Sequence, residues 1–160
     1  MDKLLQLLEH NALLTPERLG QMLRMKPAEV KRRIEKYKKQ GVILGYKAIV
    51  NASSSHNADR VKAVIEVRVL PERESGFDRT AERISRFEEV TSCFLMSGGY
   101  DLLIFVEGKT LNDVASFVAR KLATLERVQS TATRFMLKVY KEQGALMTQP
   151  NHEERMTVTP

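Results

Sequence analysis

Apolar positions recur at helical spacing along the opening third of the chain and then give way to strict alternation. Leu4, Leu5 and Leu8 share one helix face, with Ala12 a turn further on, which predicts a short amphipathic first helix. Thr15-Pro16-Glu17 opens a second. A hydroxyl caps the free N–H groups, proline fits the first helical position, and an acid suits the first turn. Leu19, Met22 and Leu23 form its predicted buried face. Arg24, Met25 and Lys26 make a short turn, and Pro27 starts a third helix with Val30, Ile34 and Tyr37 inward. Gly41 is the expected left-handed stop. Val42-Ile43-Leu44 and Tyr46 to Val50, broken by Gly45, predict a strand leaving this helical module.

The polar run Asn51-Ala52-Ser53-Ser54-Ser55-His56-Asn57 reads as a connection. Beyond it Ala63, Ile65, Val67 and Val69 alternate with Lys62, Glu66 and Arg68, the signature of a half-buried strand. Phe77, Ala81, Ile84 and Phe87 trace one helix face. Val90 to Met96 and Tyr100 to Val106 are two strands around the hairpin signal Ser97-Gly98-Gly99. Thr110-Leu111-Asn112-Asp113 is a capping box, opening a helix with Leu111, Val114, Ala115, Val118 and Leu122 inward. A long last strand runs from Val128 to Tyr140. The order β-α-β-β-α-β is the split, ferredoxin-like arrangement of an α+β domain. Both helices then cover one face of an antiparallel sheet, and pairing two copies face to face would bury the other. The expected organisation is a helix-turn-helix DNA-binding domain at 1–50 and a linker at 51–60. An effector-binding and dimerisation domain follows at 61–141, then a mobile tail at 142–160.

Charge sharpens this division. Residues 1–52 hold 11 Lys and Arg against 5 acids, a balance of +6, whereas 53–160 hold 15 of each. Six of the basic residues lie between Lys31 and Lys39, the footprint expected of a phosphate-backbone binder. No apolar run approaches the ~20 residues of a membrane span, and the N-terminus has no signal-peptide pattern. The single cysteine, Cys93, excludes an internal disulfide and fits a cytoplasmic protein. His10, His56 and His152 have no ligand spacing, so neither a metal nor any other cofactor is expected. No nucleophile elbow, phosphate-cradling loop or acid–histidine pairing is present, so the chain is not expected to be an enzyme.

On the third helix Ala28, Arg32, Glu35 and Lys39 lie opposite the apolar stripe, flanked by Glu29 and Lys36. Lys31, Arg32, Arg33, Lys36 and Lys39 are suited to phosphates, and an Arg can fork onto a guanine edge. Ala28 is small enough to meet a thymine methyl, and Glu29 can accept from a cytosine amino group. A solvated charged face is the bland alternative, disfavoured because the helix follows a helix-turn unit with proline starts. In Ser97-Gly98-Gly99-Tyr100-Asp101 two roles stand side by side. The carboxylate and the glycine backbone suit an amino-acid zwitterion; equally, Asp101 is a turn-capping residue.

Pro27, Lys31-Arg32-Arg33-Ile34, Gln40-Gly41-Val42-Ile43 and Gly45-Tyr46-Lys47-Ala48 resemble the DNA-binding half of the Lrp/AsnC, or feast/famine, regulators. Ser97-Gly98-Gly99-Tyr100-Asp101 resembles that family's T/S-G-x-x-D signature, and the likeness spans about Leu4 to Tyr140. It implies a winged-helix-type domain, a linker strand pairing with a partner copy, and a dimeric α+β barrel as sensor. It further implies assembly of dimers into octamers, with amino acids bound between dimers. Ser97, Gly98, Gly99, Tyr100 and Asp101 then belong in or beside the effector site, with Thr131 and Thr133 of the last strand as further candidates. Two departures stand out: Lys26 replaces the usual hydroxyl cap of the recognition helix, and the segment before the first helix is very short. The expected function is a sequence-specific transcription regulator acting on double-stranded DNA. The alternatives are an architectural DNA binder of the same fold without effector and, more distantly, a small dimeric α+β barrel enzyme.

Overall fold

The computed structural model describes residues 2–51, 60–73 and 76–147 and divides the chain into two compact units, 1–48 and 49–160. The first is built on α1 (Lys3–His10), α2 (Pro16–Leu23) and α3 (Pro27–Lys39). Leu4, Leu8, Leu19 and Val30 form its buried centre, with Leu23, Ile34 and Tyr37 packed against it. The helix starts follow their residues. Thr15 Oγ1 accepts from the Arg18 N–H at 3.3 Å, and Asp2 Oδ1 accepts from the Leu4 N–H at 2.8 Å. The other Asp2 oxygen takes the Tyr37 hydroxyl, tying the start of α1 to α3. That bond is the main reason the Asp2 carboxyl is held below its ordinary range. α3 starts at Pro27 with Lys26 as an N-cap that makes no side-chain capping bond.

Several expectations are corrected here. Met22 is half exposed, and Ala12 lies beyond the end of α1. Residues 43–51 form no strand, and Leu44, Tyr46, Ile49 and Val50 are exposed. A strand needs a partner ladder, and among the described residues none lies beside this segment.

The turn between α2 and α3 is tight. Arg24 occupies the left-handed region at φ 55°, and the Met25 N–H donates to the Gly20 C=O at 2.9 Å. A Cβ on Gly20 would lie 2.6 Å from the Met25 carbonyl oxygen, a backbone atom with little freedom to move. Gly20→Ala is therefore expected to destabilise the helical unit by about 1–3 kcal/mol. Chemical denaturation of the variant measures this, and an unchanged midpoint would show that the turn is not so constrained.

The second unit carries a four-stranded antiparallel sheet in the order β2-β3-β1-β4, from β1 (Val61–Val69), β2 (Val90–Leu95), β3 (Leu102–Gly108) and β4 (Val128–Phe135). Helices α4 (Asp78–Ser85) and α5 (Leu111–Phe117) complete the β-α-β-β-α-β order. Ala63, Ile65, Val67, Leu102, Ile104 and Val106 pack with Ile84, Val114, Phe117 and Leu122 into one core. The capping box at Thr110 and Asp113 is closed from both sides.

α5 does not continue as a regular helix. Val118–Leu122 form a π-helical turn. Phe117 and Leu125 are in the core, whereas Leu111 and Ala115, expected inward, are exposed. β4 stops at Phe135, short of the expected Tyr140. The chain after it is ordered further than the expected tail at 142–160 implied. β5 (Lys141–Glu142) pairs with β6 (Ala145–Leu146), and Met147 is buried. Asn51 Nδ2 donates to the Met147 C=O at 2.8 Å, and Lys62 Nζ lies 3.4 Å from Glu142 Oε2. The remaining tail, most of the 51–60 linker and His56 lie outside the described residues.

The open sheet face is mixed rather than plainly apolar. Val64, Leu103 and Phe105 are half-buried there, and Phe94 packs edge-on to Phe105 at 6.1 Å between centroids. Arg134–Glu66 at 2.5 Å and Lys62–Glu107 at 3.6 Å bring charges to the same face. Cross-strand partners share a face, so Arg134 stands beside Val64, and Ala132 beside Glu66.

Candidate nucleic-acid interface and ligand-sensing hairpin

Burial along α3 has the helical period. Val30 is fully buried, Ile34 and Tyr37 half so, and Ala28, Glu29, Lys31, Arg32, Arg33, Glu35, Lys36 and Lys39 are all exposed. The exposed side chains differ in how far they are already engaged. Arg33 Nη1 lies 3.6 Å from Met25 Sδ, turned toward the turn. Lys31 stands near enough to Glu17 to help lower its carboxyl, after the hydrogen bonds from the Glu17 backbone and Thr15. Glu35 accepts from Lys38 Nζ at 3.0 Å, so its carboxylate is shared within the helix. Lys26, Arg32, Lys36 and Lys39 make no ion pair among the described residues. These four are the free cations of the face. Lys38, which the sequence reading did not single out, is raised by its bond to Glu35, and its Nζ lies 5.8 Å from the Tyr46 ring centroid.

The hairpin of the second unit runs from Leu95 to Leu102 and is closed by the Met96 N–H to the Asp101 C=O at 2.8 Å. Gly98 has φ 141°, a conformation L side chains rarely adopt, and Gly98 and Gly99 face open space. Ser97, Gly98 and Gly99 are exposed, while Tyr100 and Asp101 are half-buried. Asp101 is tied to β1 twice. Its N–H donates to the Val67 C=O at 3.0 Å, and its Oδ2 accepts from the Val69 N–H at 2.8 Å. The Val69 donor lies at the register shift between Arg68 and Val69, where the β1–β4 ladder is irregular. Arg68 Nε reaches the Gly99 C=O at 2.8 Å and fixes the loop. Tyr100 lies near enough to Arg134 for the two to interact electrostatically.

Thr131 and Thr133 pair with Val67 and Ile65, so they share the helix-covered face, half-buried, with β1 between them and the hairpin strand β3. The fold thus brings Ser97 to Asp101 together, and places the two threonines two strands away. The ties from Val69 and Arg68 were not legible beforehand, because they depend on which strand lies beside the loop. Asp2 could have been found, being a capping residue directly before an apolar helical run.

An exposed cationic helix in a helix-turn-helix unit, carried on one chain with a ferredoxin-like unit, defines a transcription regulator with a separate ligand-binding domain. Comparison with known proteins makes this specific. The family model of the Lrp/AsnC ligand binding domain matches residues 62–146. The chain is 40% identical over 158 residues to the HTH-type transcriptional regulator YugG of Bacillus subtilis, covering 99% of this chain and 95% of that one. It is 23% identical to the leucine-responsive regulatory protein of Haemophilus influenzae, over 91% of this chain and 86% of that protein. Among solved structures, a Neisseria meningitidis transcriptional regulator in complex with L-Met is 27% identical with a TM-score of 0.64, covering 95% of this chain and 98% of its own. The leucine response regulatory protein of Mycobacterium tuberculosis shares the fold, with a TM-score of 0.72 at 20% identity, covering 92% of this chain and 100% of its own. The chain belongs to the Lrp/AsnC family of transcriptional regulators. Its relatives are named as regulators of transcription and not as enzymes. No helix among the described residues is long and apolar enough to cross a membrane.

Proposed function

We propose that this chain is a sequence-specific DNA-binding regulator that works as a homodimer, assembles further to an octamer, and responds to an amino acid through its second unit. The observation that carries the DNA half is the division of α3 into a packed stripe and a face with four unengaged cations, Lys26, Arg32, Lys36 and Lys39. α3 enters the major groove, its cations on phosphates and Ala28 and Glu29 toward base edges. Dimerisation uses the open sheet face, where Phe94, Leu103, Phe105 and Val64 form an apolar strip that a second copy covers. A DNA target and one unpaired cysteine suit the cytoplasm. The amino-acid reading draws support from the L-Met complex of the Neisseria relative and from the charged, glycine-lined hairpin 97–101.

A two-fold dimer presents two copies of α3. The operator is therefore expected to be an imperfect palindrome with half-sites centred about 10 bp, or a multiple of it, apart. Hydroxyl-radical footprinting checks this, and a single asymmetric site filled by one monomer contradicts it. One observation favours a second reading, a regulator of this fold without an effector. Asp101 already accepts from the Val69 N–H, so the hairpin carboxylate has a structural duty of its own.

A further inference from the structure

Where α4 begins, the loop after β1 and the loop before β4 form a small cleft of about 190 Å³ with it. That is below the ~300–1,000 Å³ of pockets that enclose a whole drug-sized ligand, so the cleft suits one compact polar group. Arg79, Thr80 and Arg83 come from α4, Glu72 from the loop after β1, and Glu126 and Arg127 from the loop before β4. Two neighbouring backbone donors join this cleft to the hairpin. The Val69 N–H donates to Asp101 Oδ2 and the Leu70 N–H to the Arg127 C=O, both at 2.8 Å.

Thr80 is the polar residue that the fold buries among the described residues, at 7% exposed, and its hydroxyl makes no hydrogen bond with any of them. A helical hydroxyl can turn back to the carbonyl one turn earlier, as Ser85 Oγ does with the Ala81 C=O at 2.8 Å. Thr80 makes no such bond and lines the cleft instead. A buried hydroxyl left in this way is costly until a group in the cleft meets it.

The start of α4 is open as well. Phe77 stands at the N-cap and no side chain caps the first turn, so the positive end of the helix is left to attract an anion. Asp78 of that turn lines the adjoining cleft with Cys93 and Leu95 and not this one. Arg83 and Arg127 are exposed and make no ion pair among the described residues. Arg79 Nη1 lies 3.8 Å from Glu72 Oε2, a loose pairing, and Glu126 at the other side is exposed. Two unpaired guanidinium forks, a buried hydroxyl and an uncapped helix start therefore line one cleft, with three cations against two carboxylates.

We infer that this cleft binds a phosphoryl group, carried by inorganic phosphate or by a small phosphate monoester. The Arg83 and Arg127 forks match phosphate oxygens in pairs. The Thr80 hydroxyl donates to a further oxygen, and the start of α4 favours the remaining charge. Glu72 holds Arg79 to one side, and together with Glu126 it opposes a larger polyanion such as duplex DNA. The site uses none of the residues of α3 or of the hairpin 97–101.

Hydrogen–deuterium exchange of the full-length protein with inorganic phosphate, and then with glycerol phosphate, tests this at an ionic strength held constant with chloride. Peptides over residues 78–84 and 124–130 report the cleft. Peptides over 27–40 report α3, whose cations also attract phosphate. Saturable protection of the cleft peptides by at least one probe is expected, and the probe that acts at the lower concentration identifies the source. Apparent affinity should fall about a hundred-fold in the double variant Arg83→Ala, Arg127→Ala, whose side chains are exposed. It should fall about ten-fold in Thr80→Val, which keeps the shape and removes the hydroxyl. Protection confined to 27–40 would overturn the inference, as would cleft protection that is unchanged in the double variant. Protection of the cleft by duplex DNA and by neither small phosphate would overturn it too, and would make this face a nucleic-acid contact.

Discussion

Replacing Arg32 and Lys36 together by alanine is expected to lower operator affinity by at least about a hundred-fold while leaving the helical unit folded. Both side chains are exposed, neither is engaged in an ion pair among the described residues, and neither belongs to the packed stripe of Val30, Ile34 and Tyr37. Charge-assisted contacts to phosphate contribute ~1.5–3 kcal/mol each, so two of them account for the loss. The salt dependence provides a second reading of the same variant. Each phosphate contact removed should flatten the slope of log affinity against log salt by about 0.9. Arg33→Ala makes an informative control, because Arg33 leans onto Met25 and should matter less. Unchanged affinity and slope in the double variant, with normal circular dichroism, would mean that α3 is not the recognition helix.

The second large effect concerns Asp101, where charge and shape must be separated. Asp101→Asn keeps an oxygen for the Val69 N–H and removes the negative charge. Near-normal folding and DNA binding without amino acid are expected. Amino-acid affinity should fall by about ten- to a hundred-fold, the worth of one charge-assisted bond. Asp101→Leu removes the acceptor as well and strands a backbone donor, so it should lose a further ~1–3 kcal/mol of stability. Calorimetric titration and melting of both variants decide the matter. An Asn variant with wild-type amino-acid affinity would leave Asp101 as a purely structural residue, and the effectorless reading would gain accordingly.

Most elements of the fold were legible because local chemistry and tertiary packing agree. Thr15-Pro16, Pro27 and the Thr110–Asp113 box mark helix starts by satisfying or omitting the same free N–H groups in any context. The alternation Ala63, Ile65, Val67, Val69 set the buried face of β1, since a period of two leaves no other choice. What escaped depends on neighbours that sequence spacing does not identify. Leu111 and Ala115 lie in the regular helix ahead of the π turn, where the buried stripe is Val114 and Phe117, and both fall to one side of it. Met22 sits on the margin of a short helix whose core is filled by Leu19. The segment 43–51 has strand-forming residues but no partner ladder within the described chain. Residues 142–147 lack periodicity and are held by Asn51 and Lys62, which are distant in sequence. The hairpin motif at 97–101 was found by its residues, but its ties to Arg68 and Val69 follow from the sheet order.

The central claim is that one chain couples amino-acid binding to DNA binding, and reciprocal titration tests it most directly. Operator affinity is measured with and without a saturating amino acid, starting from L-methionine and continuing through the standard set. The affinity for that amino acid is then measured with and without operator DNA. Thermodynamic linkage requires both ratios to be the same factor, and for a regulator of this kind that factor lies at about 5–150. A ratio of one in both directions for every amino acid would contradict the claim.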